Sequence, residues 1–339
     1  MGLRLATYNV AWFNALFDDG GRLLADNQPS SRHKVTRAAQ IAALGQVFRA
    51  IDACGIMVIE APDTNGKRSS VRALERFAAR FGLRATRAIT GFASDTEQEI
   101  SFLYDPLRLT PRHDPQASPD IPRFDGSYAY DRAAAHQIIR FSKPPLELTV
   151  TTAEGRTLHL IGVHAKSKAP HGARDAAQAN RISIENRRKQ LAQCLWLRAR
   201  VDQHLTAGNA LVVLGDFNDG PGIDSYEARF GKSGVEIVLG TDQPPQRRLF
   251  DPHARMALTS PIGLTPTTAR FWLDPQKRYF EALLDFIMVS PDLAAQAPAW
   301  RIWHPFNDPA CLADRALSDA LLQASDHFPV TLDFADLQG

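Results

Sequence analysis

Polar groups recur in this chain where apolar runs end. Asn9 lies in TYNVAW, Glu60 closes IMVIE and His164 closes LIGVH; Asp216 and Asn218 follow ALVVL, Asp285 lies in LLDF, and Asp326 and His327 stand directly before FPVTLDF. A carboxylate, a carboxamide or an imidazole is costly to bury singly, so their repetition beside the most apolar stretches asks for a shared reason. If those ends converge, they form one acidic cleft that contains histidine. Such a cleft suits a hard divalent cation, Mg²⁺ or Mn²⁺, which takes a few oxygen ligands and keeps several waters. It also suits phosphoester hydrolysis, which needs a metal to offset phosphoryl charge, a base to align water, and donors around the transition state. Each residue alone has a plainer reading: a turn or helix cap for an Asp after a strand, a strand-edge ion pair for Asp285, a core histidine for His164.

The elements that must carry these residues are legible from patterning. Apolar or β-branched runs at Leu3–Phe13, Ile56–Ile59, Ile100–Leu103, Leu146–Thr151, Leu158–Val163, Ala210–Leu214, Leu283–Val289 and Val330–Phe334 read as strands. Between them, Ile41, Leu44, Phe48 and Ile51 recur at helical spacing within Thr36–Ile51. Ser70 reads as the cap of a second helix that Gly82 ends, and a long third helix covers about Ala176–Leu205. Strand and helix alternate throughout without a low-complexity linker or a repeat, which favours one domain over residues 1–339. Three polar or proline-rich stretches, near 105–131, 218–268 and 300–324, read as loop insertions, each long enough to contain structure of its own.

Composition narrows the class. The 339 residues are 44% hydrophobic and 22% charged, a globular balance, and 39 Lys and Arg against 37 Asp and Glu leave a net charge of +2. That excludes a strongly basic nucleic-acid-binding domain, while a pI near 8.5 leaves room for a local basic groove. Cys54, Cys194 and Cys311 are far apart and lack metal-site spacing, which fits a reducing compartment. Neither a secretory leader nor a membrane span is evident, so the expectation is a cytoplasmic protein, monomeric by default.

Taken in order, TYNVAWFN, VIEAPD, GVHAKSK, VVLGDFND, LLDFIMVS and SDHFPV resemble the endonuclease/exonuclease/phosphatase superfamily, the fold of deoxyribonuclease I and exonuclease III, over nearly the whole chain. The resemblance implies a four-layer α/β sandwich of two packed mixed β-sheets flanked by helices, with the site at one end of the sheet pair. It implies that Glu60 is the principal metal carboxylate, with Asn9 and Asp326 in the same metal region. Asp216 would align or deprotonate the attacking water, and Asn218 would hydrogen-bond a phosphate oxygen. His327, held by Asp285, would touch the scissile phosphate, and His164 would be a second imidazole donor.

Two departures mark the pattern: Ile59 stands where a polar residue often precedes the metal Glu, and Asp63 follows as an auxiliary metal group or a turn residue. Lys166 and Lys168 follow His164 at period two, so a continuing strand would put them on its face as phosphate contacts; solvated lysines are the alternative. Lys143, opening the KPPL segment, is a weaker candidate for phosphate. Arg187, Arg188 and Lys189 read as a solvated helix face. The function implied is a metal-dependent phosphoesterase using direct in-line attack of water. DNA is the first substrate; an inositol, lipid or small soluble phosphoester is the alternative, and a non-catalytic nucleic-acid- or protein-binding module on the same fold is the remote one.

Overall fold

A computed structural model describes residues 2–132, 135–170, 172–220, 231–259, 265–273 and 276–335. The strands are β1 (Leu3–Asn9), β2 (Gly55–Ala61), β3 (Arg87–Thr90), β4 (Glu99–Tyr104), β5 (Leu109–His113), β6 (Tyr128–Arg132), β7 (Ala135–Ile139), β8 (Leu146–Thr152), β9 (Thr157–His164), β10 (Leu211–Asp216), β11 (Ala269–Leu273), β12 (Arg278–Ala282), β13 (Asp285–Val289), β14 (Ala299–Ile302) and β15 (Val330–Phe334). The helices are α1 (Arg37–Ile51), α2 (Ser70–Phe81), α3 (Ala176–Thr206), α4 (Gly234–Leu239), α5 (Pro252–Thr259), α6 (Pro291–Ala294), α7 (Pro309–Ala313) and α8 (Arg315–Ala324).

Two mixed sheets lie face to face: one ordered β14-β15-β1-β2-β4-β3, the other β13-β10-β9-β8-β5. Their facing sides interlock Leu5, Met57, Ile59 and Phe102 with Leu148, Leu160, Val212, Leu214 and Ile287. The alternate residues of the same strands, Tyr8, Ile56 and Val58, pack outward on Phe48 of α1, Phe77 of α2 and Leu321 of α8. On the far side Ile161, Val163 and Val213 meet Trp196, Leu197 and Val201 of α3. A strand covered on both faces reads as a continuous apolar run, which is why these strands were visible as such. The result is the four-layer helix/sheet/sheet/helix sandwich expected.

Local chemistry sets the boundaries. Thr36 caps α1 by accepting from the Ala39 N–H, and Gly82, at φ 61°, ends α2. The cap of α2 is Ser69 rather than Ser70; Ser70 turns inward and its hydroxyl meets that of Ser101 at 2.8 Å. The stretches read as insertions contain elements: β5 and β6 in the first, α4 and α5 in the second, β14, α7 and α8 in the third. Part of the second, residues 221–230 and 260–264, lies outside the described residues. β5 escaped notice because it is short and polar on its open side, where it carries Thr110 and Arg112.

Registry brings the chemistry together. β1 and β2 run parallel with Asn9 opposite Ile59. In the second sheet Asp216 lies opposite His164 on parallel β9 and opposite Asp285 on antiparallel β13. The C-terminal ends of four strands and the start of a fifth therefore meet at one edge of the sandwich.

Candidate active site

Asp216 is at the centre and is almost wholly buried. Its Oδ2 accepts from Asn9 Nδ2 at 2.9 Å, across the gap between the sheets, and from Asn218 Nδ2 at 3.1 Å; its Oδ1 accepts from the Asn218 backbone N–H at 2.7 Å. Gly215 lets β10 lie close against β9 just before Asp216: it sits at φ 144°, and a Cβ there would lie 2.0 Å from the Val163 carbonyl oxygen. Asn218 is held at φ 49°, a left-handed conformation that Asn tolerates better than most residues. Burial raises the Asp216 carboxyl above the ordinary carboxylate range, and the nearby Asp285 charge adds to this against the pull of His327 and the hydrogen bonds.

His327 is held by Asp285, with Nδ1 to Oδ2 at 2.7 Å. Burial alone would lower its pKa, but the charge and hydrogen bond of Asp285, helped by Asp216 and Asp326, carry it up to about 10. The charge of Asp285 thus favours the protonated ring, with Nδ1 toward Asp285 and Nε2 left for a ligand. Thr268 Oγ1 fixes Asp285 from behind by accepting the N–H groups of Leu284 and Asp285 at 3.0 and 2.9 Å. Ser325 Oγ donates to the Asn9 carbonyl at 2.8 Å and accepts from the N–H groups of Ala11 and His327, so one buried hydroxyl ties the end of β1 to the segment carrying Asp326 and His327. Ser325 lies inside SDHFPV, so its motif was the available signal; nothing in the local sequence marks Thr268.

Glu60 sits at a bulge in β2, where the pairing with β4 shifts between Ile59 and Ala61, and has φ 59°. The bulge swings its side chain out of the sheet to the cleft. Trp12, itself left-handed at φ 54°, donates its N–H to Glu60 Oε2 at 2.9 Å and leaves its own ring half exposed. Burial raises the Glu60 carboxyl, relieved in part by the Trp12 N–H and Lys143, while Asp326 pushes in the same direction as burial. Asn9 Oδ1 is buried without a partner, because Nδ2 is the atom that faces Asp216.

The unpartnered Asn9 amide oxygen and the carboxylates of Glu60 and Asp326, which raise one another's charge cost, are oxygen donors of the kind a hard divalent ion takes, with Lys143 and Arg32 as the cations already near them. Among the described residues, a different group of carboxylate and imidazole atoms, those of Asp216, Asp285 and His327, lies within 4.8 Å of one another. There Asp285 Oδ2 is taken by His327 Nδ1, while Asp285 Oδ1 is buried without a partner, as Asn9 Oδ1 is. Asp63 takes the turn reading: its Oδ2 accepts from Asn65 Nδ2 at 2.5 Å and its N–H is held by Asn14.

His164 is buried and its pKa falls well below the usual value, first through burial and then through the charges of Lys143 and His327. Its Nε2 lies 3.3 Å from Lys143 Nζ and 3.6 Å from Asp216 Oδ2. His164 Nε2 is thus set between Lys143 and Asp216, and its Nδ1 is buried without a partner. Lys143 is correspondingly lowered by burial, with Glu60 and Asp216 opposing. Lys143, the weaker candidate in the sequence, is thus the lysine most involved with the acidic centre.

The period-two expectation for the other lysines does not hold, because β9 ends at His164. Lys166 is half-buried beyond it, and Lys168 is drawn to the buried Asp219 at 2.6 Å. Arg187 departs from its expected solvated face as well: it is buried and meets Asp219 at 2.7 Å, whereas Lys189 stays exposed and pairs with Glu185. Next to Arg187, the fully buried Gln190 donates through Nε2 to the carbonyls of Lys166, Phe217 and Asn218 at 2.9, 3.1 and 3.0 Å. Helix α3 therefore clamps the turn that carries Asn218. A Gln within a polar helix pattern gave no sign of this. Arg32, also unmarked in the sequence, reaches the cleft from the segment between β1 and α1 and places Nη1 3.2 Å from Asp326 Oδ2.

No family model and no curated protein matches this chain. Among solved structures, TDP2 of D. rerio, in complex with a single-strand DNA product, is similar over 99% of both chains with a TM-score of 0.52 at 12% identity. An endonuclease/exonuclease/phosphatase family protein of Bacteroides thetaiotaomicron covers 98% of this chain and 97% of its own at a TM-score of 0.50 and 12% identity. The fold is the deoxyribonuclease I-like one that these structures share. The human Nocturnin catalytic domain, with bound sulfate, is similar to the same degree: TM-score 0.50, 13% identity, 98% of this chain and 94% of the other. At these identities the likeness speaks to the deoxyribonuclease I-like fold, and residue roles rest on the geometry above. Among the described residues, no helix is long and apolar enough to cross a membrane.

Proposed function

We propose that this chain is a divalent-metal-dependent phosphoesterase that hydrolyses phosphodiester bonds, with a nucleic acid, DNA first, as its substrate. The observation that carries the reading is the convergence on Asp216 of Asn9 from one sheet, Asn218 from its own turn and the His327–Asp285 pair from the end of the second sheet. Mg²⁺ or Mn²⁺, held by Glu60, Asn9 Oδ1 and Asp326, would supply positive charge to the phosphoryl oxygens and the leaving oxygen.

Asp216, its carboxylate fixed by three donors, orients a water and takes its proton; its raised pKa makes it a stronger base than an exposed Asp. His327 presents Nε2–H, backed by a full positive charge, to an equatorial phosphoryl oxygen. Lys143, steered by the neutral His164, offers a second cation beside Glu60 and Asp216. Groups set in place before charge develops need little reorganisation, and losing one such donor costs on the order of 10²–10³ in rate. Asp216, held by its donors, serves as the base for water, which attacks directly.

Nucleic acid is favoured by the half-exposed Trp12 ring at the rim, which offers a stacking face, and by the DNA product bound to the D. rerio neighbour. The test is hydrolysis of supercoiled plasmid, single-stranded DNA, RNA, a chromogenic phosphodiester and inositol phosphates, each with Mg²⁺, Mn²⁺ or EDTA. Metal-dependent cleavage of DNA that weakens as salt rises is the expected result. Absence of phosphoester hydrolysis in either metal, or activity that survives EDTA or the substitution Asp216→Asn, would overturn the reading.

A further inference from the structure

Arg32 has no role in the chemistry above, yet it stands at the cleft. Its turn is built locally: the Arg32 N–H donates to Ser30 Oγ at 3.0 Å, its carbonyl accepts from the Val35 N–H at 3.2 Å, and Lys34 adopts φ 59° to close the loop. The next side chain, His33, stacks on Trp272 of β11 with ring planes 10° apart. Strand β11 is joined to the active site, since Ala269 bridges to His327 and the Arg270 N–H donates to the Asp326 carbonyl. The backbone of Arg32 is thus fixed, and its side chain is delivered to one place.

Its bonding there is incomplete. Nη1 meets Asp326 Oδ2 at 3.2 Å and Nη2 meets the Leu322 carbonyl at 3.3 Å, while Nε is buried with no partner. Two of the chain's Arg–carboxylate pairs are bidentate instead, although Arg200, paired with Glu147, shares the buried Nε without a hydrogen-bond partner. Arg37 grips Asp26 with two bonds of 2.8 and 2.5 Å, and Arg301 grips Asp308 with two of 2.7 and 2.8 Å. A buried donor without a partner is unfavourable, and the planar guanidinium fork matches the oxygens of a phosphate. Asp326 is also one of the groups suited to a cation, and a guanidinium beside it is placed where substrate oxygens would enter.

We infer that Arg32 is a phosphate-binding residue of this site, gripping a non-bridging oxygen of the substrate on the Asp326 side while Lys143 serves the Glu60 side. The inference rests on the phosphoesterase reading for its substrate, and its anion-binding part can be tested without turnover. The full chain and its Arg32→Met and Arg32→Lys variants are compared in three measurements: binding of a fluorescein-labelled single-stranded 12-mer in EDTA, Mn²⁺ affinity by electron paramagnetic resonance, and steady-state hydrolysis of a chromogenic phosphodiester with inorganic phosphate as inhibitor.

The expected result is a loss of at least tenfold in oligonucleotide affinity for Arg32→Met, a matching rise in KM and in the inhibition constant of phosphate, partial rescue by Lys, and Mn²⁺ affinity unchanged or tighter. Oligonucleotide affinity within twofold of the parent overturns the inference, as does a loss of Mn²⁺ affinity with phosphate inhibition unchanged, which is the signature of an arginine that only positions Asp326. Absence of hydrolysis by the parent chain would sink the phosphoesterase reading, while the EDTA measurement would still decide whether Arg32 binds phosphate.

Discussion

Gln190→Met tests whether helix α3 holds the catalytic turn. The substitution keeps length and approximate volume, so it removes polar contacts with little change in packing. In the parent chain one amide satisfies the carbonyls of Lys166, Phe217 and Asn218, and its Oε1 accepts from Arg187 Nη1 at 3.1 Å. Losing the partner of a buried carbonyl costs about 1–3 kcal/mol. Two N–H hydrogens are shared among the three carbonyls, and only the contact to Phe217 is fully buried, so the destabilisation is about 1–3 kcal/mol. The same loss releases Asn218, whose left-handed backbone positions both donors to Asp216. A misplacement of about 1 Å at a reacting group can cost on the order of 10²-fold in rate. Urea unfolding, read as a midpoint shift at constant slope, gives the first quantity and kcat on a chromogenic phosphodiester gives the second. Destabilisation below about 1 kcal/mol together with kcat within threefold of the parent would refute the clamp.

Asn218→Gly removes the Asn218 side chain: glycine accepts φ 49° without strain and keeps the backbone N–H to Asp216, but the amide bonds to Asp216 and to the Ala165 carbonyl are lost, so stability should fall by about 1–2 kcal/mol while kcat falls on the order of 10²-fold, read by urea unfolding and steady-state kinetics. Activity should rise with pH as Asp216, raised by burial, loses its proton, and fall again as His327 deprotonates near pH 10. Asp285→Asn removes the group that opposes burial at His327, so the alkaline limb should move to lower pH; an unmoved limb in a pH–rate profile would contradict the pairing. For stability the sign is that of a raised histidine: the His327–Asp285 contribution is fully present below the ordinary pKa of about 6.5 and is lost as pH rises through about 10, which chemical unfolding at several pH values would read. Glu60→Gln should weaken Mn²⁺ binding, measured by calorimetry, at least tenfold with the fold retained by circular dichroism.

Much of this protein was legible because burial and chemistry leave different marks on a sequence. Strands covered on both faces must be apolar throughout, so β1, β2, β9, β10, β13 and β15 stood out, and the polar residues at their ends stood out against them. Motif order, in which GDFND and SDHFPV are the most distinctive members, pointed to the superfamily fold and to a candidate site. Tertiary structure alone decided what those residues do to one another. Asn9 and Asp216 are 207 positions apart yet bonded, His164 faces Lys143, and Lys168 and Arg187 are committed to Asp219. The supporting residues Gln190, Thr268 and Arg32 were invisible because a hydrogen bond to a backbone carbonyl, or an arginine brought in by a turn, needs no particular neighbour in sequence. Their partners are fixed by the packing of one element on another, and that packing is a property of the folded chain as a whole.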